Sequence, residues 1–221
     1  MSRIIFATGN EGKMREIRMI MADTGMEILS MKEAGVQVEA EENGKTYEEN
    51  ALIKARAVAA LARGTALGSQ SAAGEGTINV KNIGSIAGDI VLADDSGLEV
   101  DFLNKEPGIY SARYLGEDTP YSIKNADIIR RLEGVEEEKR RARFVCAIAA
   151  VLPDGKEITV RATIEGIIGY GEKGSHGFGY DPIFYVPELG KYTAELTEEE
   201  KNKVSHRGKA LRLMKEELKK L

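Results

Sequence analysis

The longest unbroken apolar run in the sequence, Phe144 to Leu152, stops at Pro153-Asp154-Gly155 and is followed by a second extended stretch, Lys156 to Ile168. Nine apolar residues are half of what a membrane-spanning helix needs. Two such stretches around a Pro-Asp-Gly turn read as a hairpin, Arg143 to Leu152 paired with Lys156 to Ile168. The chain therefore has to build sheet in its second half. Its first half is patterned differently. Ile4 to Ala7 is a short apolar run ending in Thr8-Gly9-Asn10, and from Lys13 onward Met14, Ile17 and Met21 recur at helical spacing. Glu27 to Met31 is a second candidate strand. A helix is expected from Tyr47 to Arg63, with Ala51, Leu52, Ala55, Val58, Ala59 and Ala62 as its stripe and Glu48 and Glu49 at its positive end. Strands and helices that alternate and then give way to a hairpin predict an α/β fold with a mixed sheet. At 221 residues one domain is expected.

Further along, Ile90 to Ala93 is expected as a strand that stops at Asp94-Asp95-Ser96-Gly97, and Leu98 to Phe102 as a separate, alternating strand. Tyr121 to Leu132 reads as a helix with Ala126, Ile129 and Leu132 inward, and Ile183 to Val186 as a short strand. Thr197 to Glu200 fits a capping box, and Ser205 caps a last helix carrying Leu211, Leu213, Met214 and Leu218. Gly64 to Asp89 breaks the pattern: six of its 26 residues are glycine, which reads as an insertion.

Charge and cysteine usage exclude several functions. Lys and Arg number 31 against 36 Asp and Glu, a net charge of −5, which argues against a general nucleic-acid binder. The basic group Arg140, Arg141 and Arg143 adjoins Glu136 to Glu138. The single cysteine, Cys146, lies inside the apolar run, which rules out an internal disulfide framework or a cysteine-rich zinc site and suits a reducing cytoplasm. The N-terminal apolar stretch is too short for a signal-peptide core. A cytoplasmic protein with no membrane partner is expected.

Five segments carry candidate chemistry. Thr8-Gly9-Asn10-Glu11-Gly12-Lys13 joins a strand to a helix N-terminus, where free N–H groups and the dipole favour phosphate, although it departs from the Walker A spacing. Asp94-Asp95-Ser96-Gly97 offers carboxylates at a strand end, enough for magnesium when a triphosphate supplies further oxygens. Glu39, Glu41 and Glu42 form an acidic loop that either adds a metal carboxylate or is simply solvated, and Lys54 and Arg56 are cations awaiting an anion. Gly174 to Asp181 surrounds Phe178 and Tyr180 with glycines, which suits stacking on a flat ligand or places the rings in the core. Lys201, followed by Ser205-His206-Arg207, supplies donors at the start of the last helix.

Taken in order, Ala7-Thr8-Gly9-Asn10 with Lys13, Glu48-Glu49-Asn50-Ala51 with Lys54-Ala55, Ala93-Asp94-Asp95-Ser96-Gly97-Leu98, Pro107 to Tyr114, Gly177 to Pro182 and Ser205-His206-Arg207 resemble the inosine triphosphate pyrophosphatase family, also called the Ham1 or RdgB type. The resemblance implies an elongated mixed sheet with flanking helices and two lobes around a central cleft. It implies hydrolysis of ITP, dITP or XTP to the monophosphate and pyrophosphate, cleansing the nucleotide pool, in a magnesium-dependent homodimer. Carried over, it assigns Thr8, Gly9, Asn10, Glu11, Gly12, Lys13 and Lys54 to the triphosphate, and Asp95 to proton acceptance and metal binding with Asp94 in support. Glu41 becomes the second metal ligand, or Glu42 if the register slips by one. Ser96 touches the substrate, and Phe178, Gly179, Tyr180, Asp181, Lys201, His206 and Arg207 form the base and sugar pocket. Against this stand a Maf-like pyrophosphatase acting on pyrimidine or modified bases, and a nucleotide sensor that binds without cleaving. One departure from the family pattern is the insertion, expected to be a peripheral excursion that leaves the site intact.

Overall fold

The computed structural model describes residues 3–36, 38, 40–62 and 88–221. Arg63 and nearly all of the expected insertion lie outside the described residues. The strands are β1 (Arg3–Phe6), β2 (Glu27–Ser30), β3 (Ile90–Val100), β4 (Arg141–Val151), β5 (Glu157–Ile168), β6 (Phe184–Val186) and β7 (Lys191–Tyr192). The α-helices are α1 (Glu11–Met21), α2 (Tyr47–Ala62), α3 (Tyr121–Arg131), α4 (Glu198–Val204) and α5 (His206–Leu218). One seven-stranded sheet runs in the order β2-β1-β3-β4-β5-β6-β7. β1 is parallel to both β2 and β3, whereas β5, β6 and β7 pair antiparallel, so the sheet is mixed as expected.

The chain divides into two compact units. The first runs to Asp95 and adds Ala147–Arg161 and Leu211–Leu221. Its core packs Ile5, Ala7, Val91, Ala93, Ala149 and Val151 of the sheet against Ala51, Ala55, Val58, Ala59 and Leu61 of α2. Alanine at three of those α2 positions gives little side chain to keep the helix axis off the strands. The second unit comprises Ser96–Cys146 and Ala162–Ala210. Its core is larger-grained: Leu98, Val100, Phe144, Ile164, Ile168, Tyr180 and Phe184 meet Ile128 and Leu132.

Helix ends follow the sequence signals. Asn10 caps α1 by accepting from the Lys13 amide, and Thr197 and Glu200 form the reciprocal box that opens α4. Ser205 Oγ accepts from Gly208 N at 3.0 Å at the start of α5. Four expectations need correction. β3 is one continuous strand of 11 residues, so Asp94-Asp95-Ser96-Gly97 lies within a strand rather than in a turn. On α3 the inward residues are Lys124, Asn125, Ile128 and Leu132, while Ala126 is exposed. Their donors are engaged, Lys124 Nζ donating to Ala112 O at 2.6 Å and Asn125 Nδ2 to Glu172 Oε1 at 2.8 Å, while Asn125 Oδ1 is buried without a hydrogen bond; such partners are invisible to an apolar-stripe reading. Leu213 faces outward, with Leu211, Met214 and Leu218 buried. Ile183 belongs to a 3-10 turn ahead of β6, and β7 was not foreseen because two residues carry no periodicity.

Candidate active site

The first unit places its polar residues at the carboxyl end of β1. Ala7 N donates to Leu92 O at 2.7 Å, and Thr8 N then turns back to Phe6 O at 2.8 Å, so the chain leaves the sheet there. From β1 the chain crosses through α1 to β2 on one side, and from β2 through α2 to β3 on the other. That reversal makes the end of β1 a topological switch point, the position at which parallel α/β sheets bind ligands. The departing loop is ordered by its own side chains: Asn10 N donates to Thr8 Oγ1 at 3.2 Å and Lys13 N to Asn10 Oδ1 at 3.0 Å. A Cβ on Gly9 would meet nothing within 4 Å, so the protein itself does not demand glycine there. Glu11 and Gly12 begin α1, Glu11 in the exposed first turn.

Neighbouring residues of a strand point to opposite faces. Asp94 accordingly meets α1, taking Lys13 Nζ at 3.1 and 3.0 Å on its two oxygens. Asp95 meets α2, where Asn50 Nδ2 donates to Oδ2 at 3.1 Å and Lys54 Nζ stands 3.8 Å from Oδ1. The two acids adjacent in sequence thus serve two different cations, Asp94 holding the loop lysine and Asp95 standing over α2. Burial pushes the Asp95 carboxyl up to about 6, further raised by Glu42 and Asp94 and opposed by Lys54 and Asn50. Lys54 Nζ also contacts Glu42 Oε1 at 3.3 Å, while Glu41 is exposed. Geometry therefore favours Glu42 over Glu41 as the companion of Asp95, a register the loop sequence left open. Ala7, Met31, Val38, Ala40, Glu42, Lys54 and Val58 line a cavity of about 230 Å³ beside this corner. No group of three or more His, Cys, Asp or Glu side chains placed to hold a metal ion by themselves occurs among the described residues. The two carboxylates at Lys54 match the preference of magnesium, which takes one or two acids and completes its shell with phosphate oxygens and water.

The second unit holds the glycine-rich segment. Gly177 has φ +79 and a Cβ there would lie 2.3 Å from Asp181 Oδ2, so only glycine allows that carboxylate to fold back under the loop. Asp181 Oδ2 accepts from Phe178 N at 2.8 Å and from Lys201 Nζ at 2.6 Å. The two rings part company. Phe178 is 39% exposed, with Lys201 Nζ 4.8 Å and the Arg207 guanidinium 5.6 Å from its ring centre. Tyr180 is 4% exposed, its hydroxyl donates to Ser111 O at 2.8 Å, and its ring packs edge-on to Tyr121. Tyr180 is a core residue rather than a stacking surface, because a tyrosine whose hydroxyl finds a buried carbonyl can be sealed inside without penalty. His206 is also buried, stacked on Phe144 at 4.9 Å. Ser96 follows Asp95 on β3 and is half-buried.

The basic group is no nucleic-acid surface as a whole. Arg140 is buried and donates to Leu132 O, Ile168 O and Gly169 O, and Arg143 is clamped by Glu99, Asp101 and Glu165. Cys146 is buried and unbridged. The sequence reading gave no role to Asn50. Its signal was available in the four-residue interval Asn50-Lys54-Val58, which puts an amide, an ammonium and a core residue on one helical face.

Comparison with known proteins agrees over the full length. The model of the Ham1 family matches residues 4–217. A dITP/XTP pyrophosphatase of Clostridium perfringens is 42% identical over 219 residues, 99% of this chain and 98% of that protein. The dITP/XTP pyrophosphatase of Bacillus subtilis is 41% identical over 96% of this chain and 94% of its own length. Among solved structures, the Ham1 protein of Staphylococcus aureus has a TM-score of 0.77 at 36% identity, covering 99% of this chain and 98% of that one. A HAM1 protein from Coxiella burnetii gives 0.80 at 33% identity with full coverage of both chains. With family match, relatives and fold in agreement from end to end, the chain belongs to the Ham1 family.

Proposed function

We propose that this protein hydrolyses the triphosphates of deaminated purines, dITP, XTP and ITP, to the monophosphate and pyrophosphate, as a magnesium-dependent homodimer in the cytoplasm. The observation that carries the reading is the Asp95 corner: a buried carboxylate braced by Asn50, facing Lys54 and Glu42, at the switch point of the sheet. Nearly full-length relatives named dITP/XTP pyrophosphatases support the substrate class.

Magnesium would be held by Asp95 and Glu42, and when bound it supplies positive charge against the phosphate oxygens and the leaving pyrophosphate. The chain's own groups do the rest. A water molecule attacks the α-phosphorus, the bond from that phosphorus to the bridging oxygen breaks, and pyrophosphate departs. Asp95 takes the proton of the attacking water, for which a carboxyl held near 6 is well matched to neutral pH. Lys54 and Lys13 face the polyphosphate, and the amides of the Thr8 to Lys13 loop meet it at the positive end of α1. In the second unit Phe178 has an exposed ring face of the kind that stacks on a flat base. Donors aimed at the 6-keto oxygen discriminate against adenine, whose amino group would leave them unpaired at a cost of about 1–3 kcal/mol each. Within the second unit, Lys201 and Arg207 gather around the exposed Phe178 ring.

A substrate panel of dITP, XTP, dATP, dUTP and dTTP, scored for released pyrophosphate with and without magnesium, tests the reading. Release from dITP and XTP, dependent on magnesium, is expected. Preference for dUTP or dTTP would indicate a Maf-like activity, and tight dITP binding without product a sensor. Light scattering at working concentration tests the dimer.

A further inference from the structure

Asn50 is fully buried one turn ahead of Lys54 on α2, and both ends of its amide are engaged. Nδ2 donates to Asp95 Oδ2 at 3.1 Å, and Oδ1 accepts from Gly44 N at 2.8 Å. The helix needs neither bond, since the Asn50 backbone N–H already donates to Thr46 O at 3.1 Å. Ala51 and Ala55 fill the same buried environment without any polar group to satisfy. The amide therefore serves what lies on either side of it: the strand that carries Asp95 and the loop that carries Glu42. Gly44 is fitted to this contact. A Cβ there would lie 2.6 Å from Asn50 Oδ1 and 2.8 Å from Glu49 Cβ, so the loop backbone reaches Asn50 only without a side chain. Lys45 N donates to Glu49 Oε2 at 2.6 Å, adding a second bond from the same loop to the same helical turn.

The consequence is directional. With Oδ2 occupied by Asn50, Oδ1 is the Asp95 oxygen that faces Lys54 Nζ, on which Glu42 also converges at 3.3 Å. We infer that Asn50 is a positioning residue whose two hydrogen bonds, one to Asp95 and one to the Gly44 backbone, hold the Asp95 carboxylate and Glu42 in fixed relation around Lys54. The inference rests on the reading of Asp95 as the reacting carboxylate and deepens it. Asparagine alone suits the task at this reach. It offers a donor and an acceptor on opposite edges of one plane, whereas aspartate would bring a second negative charge against Asp95 and glutamine is a methylene too long.

The test uses Asn50→Ala, Asn50→Asp, Gly44→Ala and the Asn50→Ala/Gly44→Ala double variant beside Asp95→Asn. Three quantities are read: kcat and KM for dITP, the affinity of the nucleotide-free protein for Mn²⁺ by electron paramagnetic resonance, and the melting temperature. Asn50→Ala is expected to lower kcat on the order of 10²-fold, as a misplaced reacting group does, with KM within about threefold. Mn²⁺ affinity should fall about tenfold, in the range known for groups that orient metal ligands. Gly44→Ala should act in the same direction, and the double variant should be no worse than its worse parent, because the Asn50–Gly44 contact that Gly44→Ala disturbs is already lost in Asn50→Ala. Asn50→Asp keeps the acceptor for Gly44 N and loses the donor to Asp95. It should lose at least as much kcat as Asn50→Ala, with a drop in melting temperature at least as large, because a second acid is then buried against Asp95.

A residue that only supports folding would lower the melting temperature while Mn²⁺ affinity stayed put, and that result overturns the inference. So does retention of kcat within about threefold in every Asn50 and Gly44 variant while Asp95→Asn is inactive, an outcome that leaves the role of Asp95 standing. If Asp95→Asn itself turns over like the parent, the reading of the site fails. Mn²⁺ affinity then decides for Asn50 alone, and an unchanged value in Asn50→Ala overturns its positioning role as well.

Discussion

Each unit pairs lysine with aspartate at its candidate site, and the pairs are built differently. In the first unit the Lys54 side chain is 18% exposed and stands 3.8 Å from Asp95, too far for a hydrogen bond. In the second, Lys201 is 8% exposed and bonds Asp181 at 2.6 Å. The first pair stands at ion-pair distance with no hydrogen bond between its members, the carboxylate taking an amide donor from Asn50 and the ammonium a second acid, Glu42. The second pair is closed on itself and spends its charge on holding the bent backbone between Gly177 and Asp181. In the first unit the carboxylate is held by an amide, in the second by a direct ion pair. The difference follows from how tightly each carboxylate is already used.

Four substitutions or conditions sharpen that contrast. Asp95→Asn should cut pyrophosphate release from dITP by about 10²–10⁴-fold, the range of a lost general base, while the protein remains folded by circular dichroism. Lys201→Met strands the buried Asp181 carboxylate and should cost on the order of 3–5 kcal/mol in urea denaturation, a stability loss that replacing Lys54 does not match. A third contrast lies in pH. The folded protein keeps a proton on Asp95 up to about 6, against an ordinary value of 3.8, so between these limits the folded state binds more protons than the unfolded. Stability in magnesium-free buffer should therefore fall as pH rises from about 4 to about 6, by on the order of 2–3 kcal/mol. Asp95→Asn should abolish that fall, and a slope that persists in the variant would assign it to another group. The smallest effect is expected for Lys54→Met, whose ammonium stands 3.8 Å from Asp95 and whose nearer partner, Glu42, is partly solvated. KM for dITP should rise about tenfold with less than about 1 kcal/mol change in stability, and a large stability loss would make the corner as closed as the Lys201 pair.

Much of the architecture was legible in the residues. The strand-turn-helix of Ile4 to Met21, the alanine stripe of α2 and the hairpin around Pro153-Asp154-Gly155 all follow from local periodicity and turn chemistry, and the structure has each of them. Misreadings cluster where a polar residue is buried. Asp94 and Asp95 were read as a turn because two carboxylates in a row rarely sit within a strand, yet Lys13 on one face and Asn50 on the other satisfy them there. The inward face of α3 was misjudged for the same reason, since the buried donors of Lys124 and Asn125 find acceptors outside the helix. Tyr180 and Phe178 are indistinguishable as letters flanked by glycine, and only the carbonyl of Ser111 separates the sealed ring from the open one.

By itself, then, the sequence determined the class of fold, the order of its elements and the membership of the residues that carry charge, because periodicity, caps and turns act over a few residues. Which carboxylate answers which cation, which of Glu41 and Glu42 turns toward Lys54, and the work of Asn50 were decided by tertiary structure alone. Those are contacts between segments such as Gly44, Asn50 and Asp95 that lie on a loop, a helix and a strand, and their geometry exists only once the sheet has brought the three together.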